Sequence, residues 1–302
     1  MSQLLPLFSE NILPIFLIAG AGFLLGHFLE IDPRSVSRVI FYLFSPCLVF
    51  NLISQNHIPG GDVTRMVGLA AMVMLLNGLA AFGVGRLLRL ERSLLAAVIL
   101  VAMFSNAGNY GLSFNNFAFG ETALTYASLY FVTSSMMVYT VGVVIASMGR
   151  ADLKMAAKKL LTLPTLYALA AGILYKTMDW QVPLPLNRSI NLLGQAAIPS
   201  MIVLLGLQLR RAVKTTHWQA IGLASSVKLL FSPMAAALLA TALNLHGPAW
   251  QAAISEAAMP SAVITIVLAT EFDARPAFVT TAVTIITLLS PFTLTPLLAL
   301  LV

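Results

Sequence analysis

Asn106, Gly108, Asn109 and Gly111 fall within one twelve-residue stretch, "SNAGNYGLSFNN", residues 105–116. Carboxamides donate and accept hydrogen bonds without carrying charge, and glycines lower helix propensity. The stretch follows "LLAAVILVAMF", residues 94–104, which is apolar throughout. Eleven residues rise only about 16 Å as helix, roughly half the hydrocarbon thickness of a bilayer. A helix that stops there leaves backbone groups unpaired, at several kcal/mol each in hydrocarbon. That is tolerable only where protein or a water-filled cavity receives them. A second break is expected at Pro260, in "EAAMPSAV", where the ring removes a donor and clashes with the preceding turn. Two broken helices crossing near the midplane would present half-helix N-termini with free N–H groups and partial positive charge. Such a site draws in a carboxylate without placing a full positive charge in the membrane.

Two residues with a fixed full charge, Lys228 and Glu256, fall well inside apolar runs. Each costs at least about 2.5–3.5 kcal/mol at a lipid-facing helix centre, so both should face protein or water. Glu256 precedes Pro260 by one helical turn, on the same face. It is a candidate for proton or cation coupling, with a structural pairing to Lys228 as the alternative. Lys228 either offsets substrate charge, stands in for a cation, or snorkels and pairs. Gln195, shortly before Pro199, is a further cavity candidate. Asn51 and Asn77 read as interhelical hydrogen-bonding residues. His27, His57, His217 and His246 lie near span ends and read as interfacial. The single cysteine, Cys47, sits in an apolar run; it reads as a small buried hydrophobe and allows no disulfide within the chain.

The elements that must position these residues follow from composition. Of 302 residues, 59% are hydrophobic and 9% charged, with a mean hydropathy of +0.91. Soluble domains carry about 25% charged residues, so the chain reads as an integral membrane protein. Long apolar runs broken by Gly and Pro favour helices over a barrel. The net charge of +6 is explained by membrane topology and does not suggest nucleic acid. The first residues lack a basic stretch, and no signal peptide is read there.

Ten apolar segments are expected, at roughly 7–29, 36–54, 65–88, 93–118, 122–148, 160–177, 189–209, 218–243, 249–270 and 277–301. With both termini outside, the inner loops hold Arg34, Arg38, Arg86, Arg89, Arg92, Arg150, Lys154, Lys158, Lys159, Arg210, Arg211, Lys214 and Arg275. The outer loops hold only Arg65, Lys176 and Arg188. This positive-inside bias supports both orientation and an even span count. The halves 1–150 and 151–302 also resemble each other. "LFSPCLVFNLIS" parallels "AAIPSMIVLLGL", "MLLNGLAAFGVGRLL" parallels "VKLLFSPMAAALLA", and "VAMFSNAG" parallels "EAAMPSAV", at offsets of 153–156 residues. Five spans per half place the second half inverted, the signature of a secondary transporter whose interrupted helices mark the binding site.

These residues resemble the auxin efflux carrier family, which includes plant PIN transporters and bacterial organic-anion carriers, within the bile-acid/arginine/auxin transporter superfamily. The likeness covers essentially the whole chain. It is carried by "SRVIFYLFSPCLVFNLIS", "SNAGNYGLSF", "KLLFSP" and "EAAMPSAVITIVLATEF". The resemblance implies an all-α membrane protein of ten helices in two inverted repeats, with helices four and nine broken and crossing. It implies a scaffold of helices 1, 2, 6 and 7 (7–54 and 160–209) that dimerises. A transport domain of helices 3–5 and 8–10 (65–148 and 218–301) would move elevator-like past it. Small carboxylates are the implied substrates. They would bind at Asn106, Gly108, Asn109, Tyr110 and Gly111 with Met259, Pro260 and Ser261. The chain departs from the family in three places. Ser113 stands where many members have a proline, the loop between halves is short, and the acid of the plant third helix is missing. The last two argue against auxin itself.

The reading is therefore a secondary transporter of organic anions in the cell membrane, with H⁺ or Na⁺ coupling open and no cofactor. An anion channel built on broken helices, or a uniporter-like facilitator without ion coupling, is the alternative. No Walker-type run is present, and no Ser/His or paired-Asp arrangement within the spans suggests an intramembrane enzyme.

Overall fold

A computed structural model describes residues 4–55, 58–147, 161–178, 182–209 and 217–302. The boundary between halves at residue 150, the cations Arg150, Lys154, Lys158, Lys159, Arg210, Arg211 and Lys214, and His57 lie outside these residues. Helices account for nearly all of the rest, running as α1 (Leu4–Phe28), α2 (Pro33–Gln55), α3 (Gly60–Leu87) and α4 (Arg92–Met103). The chain is helical again over Ala107–Ala146 except at Gly120, whose φ of 78° and ψ of −170° divide it. The two parts are α5 (107–119) and α6 (121–146). There follow α7 (Pro164–Thr177), α8 (Leu184–Leu209), α9 (Trp218–Ala242), α10 (Gly247–Ala258), α11 (Ile264–Glu271) and α12 (Pro276–Leu301). Counting Ala107–Ala146 as one, seven helices among the described residues are long and apolar enough to cross a membrane. The protein is all-helical and multi-pass.

Local chemistry sets these boundaries. The Asp32 carboxylate caps α2, accepting from the Arg34 and Ser35 N–H groups and the Ser35 hydroxyl. These bonds, the Ser35 hydroxyl foremost, hold that carboxyl below its ordinary range. Pro291 in α12 cannot donate to the Thr287 carbonyl, and the Ser290 hydroxyl does so instead at 2.8 Å.

Two packing groups emerge. In one, α1 lies along α8, and α2 contacts both α7 and α8. A side chain at Gly206 would strike the Ala19 carbonyl, and one at Gly22 the Val203 carbonyl, so α1 and α8 touch backbone to backbone. In the other, α3 packs on α4, α6 and α9, and α10 packs on α9 and on the α5–α6 stretch. The Arg275–Glu91 ion pair ties the α11–α12 turn to the α3–α4 turn at the end where Arg86, Arg89 and Arg92 also lie. We call this the basic end.

A single sequence offset relates many features. The half-helices α4 and α10 are both 12 residues long and begin at Arg92 and Gly247, 155 apart. Arg89 and Asn244, also 155 apart, both have left-handed backbone, as do Gly120 and Arg275 at the same offset. The Asn77 amide donates to Ser232 Oγ, again 155 positions away, at 2.9 Å.

Candidate functional site

The site begins where α4 and α10 stop. Phe104 and Met259 leave helical geometry with ψ of 125° and 146°, and the two extended segments pair antiparallel through Ser105 and Ser261. The Asn106 N–H donates to the Pro260 carbonyl at 2.7 Å, and the Ala262 N–H to the Phe104 carbonyl at 2.9 Å. The Ser261 hydroxyl donates to the Val101 carbonyl at 2.6 Å. Each break thus satisfies backbone groups freed by the other, the condition under which irregular backbone survives at membrane depth.

From this crossover α5 and α11 restart. The Asn106 carbonyl receives both the Tyr110 N–H (3.3 Å) and the Gly111 N–H (3.0 Å), an opening turn of π type. Residues 105–109 and 262–264 line one cavity of about 90 Å³, together with Phe131, Ser134, Tyr139 and Gln208. Two helix N-termini therefore point positive partial charge into a single space. The Asn109 amide donates to Gln208 Oε1 at 3.5 Å, while Asn109 Oδ1 and Asn106 Nδ2 are buried without partners. Ser37, Leu163 and Val267 also line the cavity, so it extends from the crossover toward the basic end.

A polar cluster lies behind the crossover. Lys228 is fully buried in α9 and donates to Ser105 Oγ at 2.6 Å and Ser232 Oγ at 3.4 Å. Ser232 in turn donates to the Ala257 carbonyl near the end of α10. The ammonium thus sits against the C-terminal, negative ends of both half-helices. Glu256 is also fully buried. Its Oε1 accepts from Asn115 Nδ2 at 3.1 Å, and its Oε2 has no partner. Asn115 also donates to the Gly111 carbonyl and accepts from Ser255 Oγ at 2.8 Å. A Cβ on Gly111 would overlap the Glu256 carboxylate. Lys228 and Glu256 form no direct ion pair.

The residues singled out in the sequence divide into groups. Asn106, Gly108 and Asn109 line the cavity, with Gly108 packed against the Phe131 ring. Tyr110 and Gly111 do not; Tyr110 meets Phe16 of α1 edge-on, with centroids 6.0 Å apart. Met259, Pro260 and Ser261 build the crossover backbone, and the cavity face of that segment is Ala262, Val263 and Ile264. Gln195 lies elsewhere, in a second cavity of about 500 Å³ with Asn51, Gln55, Asn116 and Asn191. Thirteen residues of helix, about 20 Å, separate it from Gln208. Gln208, Ser105 and Asn115 do not stand out in the sequence as site residues; each is a neutral polar residue near a span end or break, and the interhelical contact reveals its role.

The profile of the membrane transport protein family matches residues 7–155 and 146–298, nearly the whole chain. The chain belongs to this family. The transporter is 25% identical to an uncharacterised transporter of Methanothermobacter thermautotrophicus over 287 residues, 93% of this chain and 94% of that one. It is 28% identical to a Rhizobium meliloti protein named "Putative malonate transporter", over 95% of this chain and 93% of that one. It also resembles auxin efflux carrier component 3a of Oryza sativa, at 29% over 142 residues, 45% of this chain and 23% of that protein. The family and these relatives are membrane transporters, not enzymes.

Proposed function

We propose that this transporter is a secondary carrier of small carboxylates, bound at the crossover and moved by an elevator-type alternating-access step. One observation carries the reading: the N-termini of α5 and α11 line the same cavity beside Asn106 and Asn109. They supply N–H donors and positive partial charge where a fixed cation would be costly. The name of the Rhizobium meliloti relative contains such an anion.

The recurring offset of 155 residues supports ten spans in two inverted five-helix repeats with both termini outside. On this reading α1, α2, α7 and α8 are the scaffold, through which the protein forms a homodimer. The helices α3–α6 and α9–α12 are the moving part, and the cavity opening toward the basic end is the inward-facing state. Lys228, bonded at the crossover, offsets charge there, and Glu256 with its unpaired oxygen is the coupling group for H⁺ or Na⁺.

A thermal-shift screen of the purified protein against small organic acids, with and without Na⁺ and at two pH values, tests this. Stabilisation by one or more carboxylates is expected. Stabilisation only by cations or neutral sugars would overturn the organic-anion reading.

A further inference from the structure

We propose that the substrate carries a hydroxyl or N–H donor on the carbon next to its carboxylate, read by the Asn109–Gln208 amide pair. The proposal rests on the crossover being a carboxylate site and narrows what that carboxylate must carry.

Asn109 on α5 and Gln208 on α8 share one bond, from Asn109 Nδ2 to Gln208 Oε1. A carboxamide pair joined once always leaves one amide nitrogen and one carbonyl oxygen. Exchanging O and N in both side chains changes which residue holds which, not the inventory. The leftover oxygen, Asn109 Oδ1, is buried and has no donor. A plain carboxylate held by the N-termini of α5 and α11 offers only acceptors. It would leave that oxygen desolvated and without a donor, a costly arrangement for a buried polar group. A hydroxyl or amine beside the carboxylate removes the conflict by donating to the oxygen. Asn106 Nδ2, the other buried unpaired group here, remains free to donate to the carboxylate. Sites built to bond a substrate hydroxyl discriminate strongly against analogues that lack it. Since the pair joins the scaffold helix α8 to the moving helix α5, a ligand donor placed here is sensed by both.

The test uses the native purified protein and three acids with three-carbon skeletons: lactate, propionate and pyruvate. Lactate has a donor at the second carbon, pyruvate an acceptor, and propionate neither. Calorimetric titration is expected to show lactate binding at least about tenfold more tightly than both others. In Gln208→Leu the ratio should fall to within about twofold, because the bond that orients Asn109 is gone. Equal affinities in the native protein overturn the inference, as does malonate binding with no lactate binding; both leave the carboxylate site standing. If no carboxylate binds, the proposed function falls and this inference falls with it.

Discussion

At Gly111 the absence of a side chain decides whether Glu256 keeps its place. An added methyl would overlap both carboxylate oxygens, and the carboxylate is the flexible partner. Gly111→Ala should therefore push Glu256 off Asn115 and destabilise the protein by about 1–3 kcal/mol, read as a lower melting temperature in detergent. The same change should alter any pH dependence of transport, because it moves the titratable group and leaves the cavity lining intact. Lys228 and Glu256 are both fully buried and form no direct ion pair. Lys228→Met removes a fully buried ammonium and leaves Ser105 Oγ and Ser232 Oγ without its donors, at a cost of about 1–3 kcal/mol. Adding Glu256→Gln should recover part of that loss, and a double-mutant cycle on unfolding measures it. Strict additivity would mean the two side chains act independently. The isolated charges were visible in the sequence because ionisable residues in apolar runs are rare. Their actual partners, Ser105, Asn115 and Ser232, were not, because small polar residues are common in membrane helices and a contact across 141 positions leaves no local trace.

The twelve helical pieces among the described residues follow the apolar runs closely, and both expected breaks appear, at 104–106 and 259–263. The gap expected between the segments 93–118 and 122–148 falls at Gly120, whose φ is positive, legible because glycine is the residue that takes that backbone without strain. Less legible was which residues of the second break face the cavity. Pro260 marks the interruption, yet the helix restarts only at Ile264, so the exposed N-terminus lies three to four residues downstream. Nor could spacing show that Gln195 and Gln208 of one helix serve different cavities. Backbone contact between α1 and α8 sets a demand at Gly206, where a side chain meets the rigid Ala19 carbonyl. Gly206→Val should force the two helices apart and cost more than about 4 kcal/mol, seen as loss of folded protein on size exclusion. Gly20→Val on the same α1 meets open space and should fold normally. Equal behaviour of the two would contradict this helix contact.

The cavity at the crossover extends toward the basic end, and the one that holds Gln195 lies toward the opposite end; Tyr110, Phe16, Leu205 and Ile202 pack in one apolar cluster. Alternating access requires a site that opens to one side at a time, and the crossover cavity extends toward the basic end. The packing groups, one built on α1 and α8 and the other on α3 and α9–α10, are the bodies that would slide. In the proposed mechanism a small carboxylate binds at the crossover and is carried across with it. Counterflow in proteoliposomes measures this most directly: vesicles loaded with unlabelled carboxylate are diluted into a trace of labelled lactate or malonate. The account predicts transient uptake above that of protein-free vesicles, stimulated by the internal carboxylate and abolished in Asn106→Leu. Uptake that internal carboxylate does not stimulate, or that Asn106→Leu leaves unchanged, would contradict it.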